Sequence, residues 1–349
     1  MALQVGAANW DIIWHGIVNV ESFFTPPHSV LYLGVGLSLV STIAGIIWSL
    51  RHKIDSVGPF TTYRKIPTPL KLIVFGCSIE VISGLFDNWW HANFGFDGLL
   101  SPPHLMLISG MTLSIIGGLI GTHLDKTHKR FHIISEMICY GILWMILINF
   151  VFMFTLPFSK GQFFDFNPSP TAALMLGLMF PAAFTAIIFY SVQNLSFPFR
   201  MTVVAATLIT IQSLATIISN IYFAGLLPLY LLNILIPLSL DIISIYTKNN
   251  NKVFRKYSNA DHKRIILSII ISLFFITFYF PWSVNMFKTF FEIDLITFES
   301  VTIFEHLVWK FIIPILIPVS AVSAYIGILV WKKLYEYAKL TNKFKVVVG

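Results

Sequence analysis

Asp11, His15 and His28 recur as Asp87, His91 and His104, and both triples read Asp-x3-His-x12-His. At an offset of 76 with no gap, DIIWHGIVNVESFFTPPH (11–28) lies on DNWWHANFGFDGLLSPPH (87–104). Asp, Trp, His, Pro, Pro and His are identical between the two segments. Two imidazoles and one carboxylate form a facial donor set for a divalent metal, with coordination positions left over for water, O2 or a substrate. Asp and His at i and i+4 stack on one helix face, with Cβ atoms about 5–6 Å apart, a separation that suits two ligands of one ion. A single such pair is equally well a hydrogen-bonded pair. Two copies, each with a second His at the same distance, favour the metal. Glu21 and Asp97 occupy aligned positions and are candidate acceptors for a ligand imidazole N–H, with solvated loop acids as the simpler reading.

These triples need a helix end, a turn and a helix start. Twelve residues let the chain leave one helix and enter the next. Thr25 and Ser101 suit the N-cap, and Pro26 and Pro102 suit the first helical position, where a missing N–H costs nothing. Gly34 and Gly110 both lie six residues past the second His. A third, degenerate copy places Phe154, Phe158 and Thr171 at the ligand positions and Gly177 six residues further on. The chain thus reads as tandem helix hairpins: repeat 1 over about 1–50, repeat 2 over about 71–124 and degenerate repeat 3 over about 145–192.

Of the 349 residues, 56% are apolar and 11% are charged. That charge is less than half of the roughly 25% usual for soluble domains. Apolar runs of about 20 residues, each able to cross the hydrocarbon core, recur along the chain. The expected class is an all-α, polytopic membrane helical bundle forming one integral domain over 1–349. Nine spans are expected, at about 28–50, 71–90, 104–124, 132–157, 170–192, 201–223, 227–246, 264–287 and 306–332. Residues 3–19 hold Gln4, Asn9, Asp11, His15 and Asn19, so a short interfacial or half-inserted helix is expected there. Lys and Arg gather in 51–71, 125–130, 248–264 and 332–345, which predicts an outside N-terminus, a cytoplasmic C-terminus and both motifs on the outer side of the cell membrane.

The net charge of +7 sits in these loops and is not a nucleic-acid signal. Cys77 and Cys139 fall inside expected spans and form no disulfide framework, and the N-terminus lacks the basic start of a secretory signal. Glu80 lies mid-span, seven residues before Asp87, and is expected to orient a ligand, carry protons, face a cavity or bond to a neighbouring helix. Glu136 and Asp241, near cytoplasmic ends, read as structural. His123, His128 and His132 flank a basic loop, and Glu305 with His306 opens the last span. Met175 and Met179 read as core filling. Trp14, Trp89 and Trp90 read as interface anchors.

Asp-x3-His-x12-His across a transmembrane hairpin resembles the copper site in a transmembrane subunit of the copper membrane monooxygenases, the particulate methane and ammonia monooxygenase family. The resemblance covers about 18 residues, twice. It implies copper as the metal, Asp87, His91 and His104 as its ligands, and Asp11, His15 and His28 as a second such site. It also implies O2-dependent oxidation near the outer surface, with membrane lipid, a small substrate or O2, and other subunits as partners. Beyond the motif the chain departs, with nine expected spans, two copies of the motif and no clear Asn-His-His cluster. Donor chemistry alone equally allows non-haem iron or zinc. Two rival readings stand beside an oxidase: copper binding or transport without turnover, using Glu80, Cys77, Met175 and Met179 as a path, and an accessory subunit in which the metal holds hairpins together. The two ligand sets form either one dinuclear site or two separate ones.

Overall fold

A computed structural model describes residues 1–17, 22–51, 66–95, 100–124, 129–155, 170–192, 195, 197–249, 266, 268–271 and 318–333. The described residues are helical with connecting turns. In chain order the helices are α1 (Ala2–Ile17), α2 (Pro26–Arg51), α3 (Thr68–Phe94), α4 (Pro102–Leu124), α5 (Lys129–Thr155), α6 (Pro170–Val192), α7 (Arg200–Ser219), α8 (Leu227–Leu232) and α9 (Leu235–Asn249). A further helical stretch covers 318–333.

Five of the described helices are long and apolar enough to cross a membrane: Pro26–Arg51, Thr68–Phe94, Pro102–His123, Phe131–Val151 and Arg200–Ser219. Their outward faces carry large apolar side chains such as Leu33, Val40, Phe75, Ile82 and Leu85, all exposed. Helices that are apolar on both the buried and the exposed side are built for lipid rather than water. The chain is accordingly a helical, multi-pass membrane protein.

The expected span at 227–246 is divided. A 3-10 turn over Ile221–Leu226 leads into the short α8, and α9 begins afresh at Leu235. Between α8 and α9 the Asn233 side-chain amide donates to the Tyr230 carbonyl (3.0 Å), which diverts the chain from helical bonding. Of the last two expected spans, only 266, 268–271 and 318–333 are described.

α1 packs against α2 and α7 and buries Gln4, Val5, Ala7, Asn9 and Ile13, so it is a member of the bundle and not a helix lying on its surface. α3 packs along α4 at backbone contact. A Cβ on Gly110 would stand 2.8 Å from the Gly76 carbonyl, and one on Gly117 would stand 2.8 Å from the Pro69 carbonyl. Close approach through small residues is the usual way that membrane helices hold together, because lipid provides no hydrophobic drive between them.

The same notch occurs at the aligned position of the first hairpin. A Cβ on Gly34 would meet Gln4 Cγ at 2.9 Å, and one on Gly110 would meet Glu80 Cγ at 2.9 Å. Gln4 and Glu80, like Gly34 and Gly110, are 76 residues apart. The helix starts match as well. The His28 N–H donates to Thr25 Oγ1 and the His104 N–H to Ser101 Oγ, both at 3.4 Å, which is the N-cap bond that both starts need.

Candidate metal centre

Each triple joins the end of one helix to the start of the next. Asp87 and His91 lie one turn apart near the end of α3, and His104 lies in the first turn of α4. Gly95 ends α3 at φ +75°, a conformation that suits glycine, and its N–H bonds back to the His91 carbonyl. The Gly95 carbonyl then lies 3.1 Å from His91 Nδ1.

This contact fixes the chemistry of the ring. A carbonyl can only accept, so Nδ1 carries the proton and donates it to Gly95 O. The lone pair is left on Nε2. His91 Nε2 faces Asp87 Oδ1 at 3.5 Å, and His104 Nε2 faces the same oxygen at 3.2 Å. A lone pair turned toward a carboxylate oxygen is unfavourable unless a cation or a proton lies between them. One donor atom from each of Asp87, His91 and His104 lies within 4.8 Å of the other two, so a single ion can be reached by all three. The donor set and its spacing therefore fit a divalent metal.

The first triple has the same core. His28 Nε2 lies 3.3 Å from Asp11 Oδ2. His28 Nδ1 lies 3.1 Å from the Ser22 carbonyl and donates to it, so the lone pair of the neutral ring lies on Nε2, on the Asp11 side. His15 follows Asp11 by one turn in α1, but its side chain lies outside the described part of the structure. So do the side chains of Phe154, Thr171 and Met175, and all of Glu21, Asp97, His128, Phe158, Glu305 and His306.

The two sets meet. Asp11, His28, Asp87 and His104 line one cavity of about 60 Å³, walled by Ala8, Ile12, Leu31, Leu107, Ile108, Ile146, Met153 and Asn149. A wider cleft of about 240 Å³ lies alongside, lined by Ser22, Phe23, His28, Tyr32, Gly84, Asp87, Asn88, His91 and Ala92. His28 and Asp87 border both spaces.

Glu80 is buried and accepts a hydrogen bond from Ser114 Oγ of α4 at 2.8 Å, so of the roles open to it, bonding to a neighbouring helix is the one seen. It borders neither space. Trp89 is exposed near the end of α3 as an anchor would be, whereas Trp90 is buried, with its ring 4.5 Å from that of Phe94. Asp241 Oδ2 accepts from Thr202 N and Oγ1, both at 2.8 Å, and so caps the first turn of α7. At the far end of α4, Glu136 is flanked by His123 Nδ1 at 3.1 Å and His132 Nε2 at 3.8 Å.

Sequence reasoning assigned nothing to Asn149, to the Ser22 carbonyl or to the Gly95 carbonyl. The two carbonyls are main-chain atoms and leave no mark in a sequence. Asn149 did leave one, as the lone amide within the apolar run ILWMILINFVFMF. Comparison with protein-family models, curated proteins and solved structures returns no significant match for this chain.

Proposed function

We propose that this chain is a membrane-embedded copper protein that performs or supports O2-dependent oxidation near the outer face of the cell membrane. The observation that carries the reading is the Asp87, His91 and His104 donor set, within 4.8 Å and with the His91 lone pair held inward by the Gly95 carbonyl. The resemblance of the motif to the transmembrane copper site of the copper membrane monooxygenases supports copper over iron or zinc. Asp87, His91 and His104 would hold one ion. Asp11, His28 and His15 would supply a second ligand set, and the shared cavity supports one compartment over two separate sites.

When bound, copper supplies one-electron redox chemistry and open coordination positions. The protein's own contribution lies in orientation and enclosure. The Gly95 and Ser22 carbonyls fix two ring tautomers. Ala8, Ile12, Leu31, Leu107 and Ile108 give the compartment a largely apolar wall. Close packing of α3 on α4 through Gly76, Gly110 and Gly117 holds the second hairpin by itself, which favours a chemical role for the metal over a purely structural one. We further propose nine membrane crossings, the one over 227–246 made by the broken α8–α9 pair, with an outside N-terminus and a cytoplasmic C-terminus, lipid around the bundle, and partner subunits as in the resembling family.

The test is elemental analysis of the purified protein together with electron paramagnetic resonance after oxidation. A type-2 Cu(II) signal with nitrogen hyperfine structure is expected. Stoichiometric zinc with no copper would reject the oxidase reading.

A further inference from the structure

Asn149 of α5 is 1% exposed, and neither its side-chain nitrogen nor its oxygen has a hydrogen-bond partner among the described residues. A buried, unpaired amide is costly, and in an apolar helix a leucine of similar size would remove the cost. The amide nevertheless lines the compartment that holds Asp11, His28, Asp87 and His104. The other residues of that wall are apolar, apart from the four ligand candidates. The structure thus holds one neutral donor and acceptor in the same compartment as the metal-binding groups, with no hydrogen-bond partner among the described residues.

We propose that Asn149 is a positioning residue, the hydrogen-bonding anchor of a small ligand that shares the compartment with the metal. This rests on the metal reading of the site. The volume sets the ligand class. About 60 Å³ holds one or two waters and falls well short of the roughly 150 Å³ that admits benzene. The ligand class is a molecule of one to three heavy atoms that accepts a hydrogen bond, of the size of water, O2 or azide. The wider cleft of about 240 Å³ beside His28 and Asp87 has the room for larger molecules. The amide has a task that imidazole and carboxylate cannot perform while they face a cation: it offers an N–H.

The test uses the full-length protein in detergent, loaded with Cu(II) and titrated with azide, read by the azide-to-copper absorption band. Asn149→Leu should keep its copper and melt at the same or a higher temperature. Its azide affinity should fall at least about tenfold, the equivalent of one hydrogen bond to an anion. A structural asparagine would give the opposite melting result. Equal azide affinity in wild type and variant overturns the proposal, as does wild type that binds copper but no azide. Loss of copper from Asn149→Leu also overturns it, by making Asn149 a ligand. Wild type that binds no copper fails the metal reading itself, which is a separate result. Should Asn149→Leu fail to insert, Asn149→Val, smaller and without a side-chain donor, should show weakened azide binding with copper retained, and unchanged binding there is equally fatal.

Discussion

The His91 imidazole shows how one backbone atom can decide the character of a side chain. With Nδ1–H committed to Gly95 O, the neutral ring turns its Nε2 lone pair toward Asp87, and a proton or a cation between them is what makes that contact favourable. Removing the ring leaves Asp87 and His104 as two of three donors. His91→Ala should therefore lower bound metal at least about tenfold, since even indirect changes around a metal cost 10–100-fold. His123→Ala, at the far end of α4, should keep its metal. Full occupancy in His91→Ala would make the Asp87–His91 contact a simple hydrogen-bonded pair. The ligand candidates were legible in the sequence because their spacing is duplicated without a gap, and the structure brings donor atoms of Asp87, His91 and His104 within 4.8 Å of one another. Asn149 was not, because one amide in an apolar run names no partner until the fold brings the first two hairpins against α5. Its replacement by Leu should raise stability by about 1–3 kcal/mol, the usual penalty of an unsatisfied buried polar group, measured as thermal unfolding in detergent. A drop in stability would mean that the amide is paired.

Helix pairs carry the next level of order. α3 and α4 meet where their glycines leave room: Gly76 is the tightest point, with Ser114 Oγ, Ser114 N and Gly110 O all under 3 Å from a Cβ placed there, and at Gly110 both Gly76 O and Glu80 Cγ lie under 3 Å. Gly110→Ala should destabilise the protein by about 1–3 kcal/mol through overpacking. Gly36→Ala, where a Cβ meets nothing within 4 Å, should be neutral or slightly stabilising. Equal behaviour of the two in detergent unfolding would refute the close approach. Most long helices were legible from hydropathy, since length and apolar content suffice for a span. The break between α8 and α9 was not. Pro228, Asn233 and Pro237 interrupt an otherwise apolar stretch, and a hydropathy average weighs them as three residues among twenty instead of as breaks in the backbone ladder. α1 was legible as a short helix, but its burial depends on α2 and α7, which no local pattern in residues 3–19 reveals.

For the whole molecule, basic loops set the orientation expected in the membrane, and the ligand-bearing helix ends then lie outside. A cysteine introduced at the 91–103 turn by Asp97→Cys should react with an impermeant maleimide on intact cells. Lys126→Cys, in a basic loop, should react only after permeabilisation. The reverse pattern would invert the topology and move the centre to the cytoplasmic side. The order of groups along the chain also has a consequence in time. His104 is the last residue of the two triples, and Asn149 follows 45 residues later (149 − 104). At about 5–20 residues per second, a ribosome needs roughly 2–9 s to cover that interval. During those seconds the nascent chain already holds every donor and still lacks the helix that walls them in. A metal bound by these groups, as proposed above, would meet the donors without the α5 wall if it arrived during translation, and with Asn149, Ile146 and Met153 in place if it arrived afterwards.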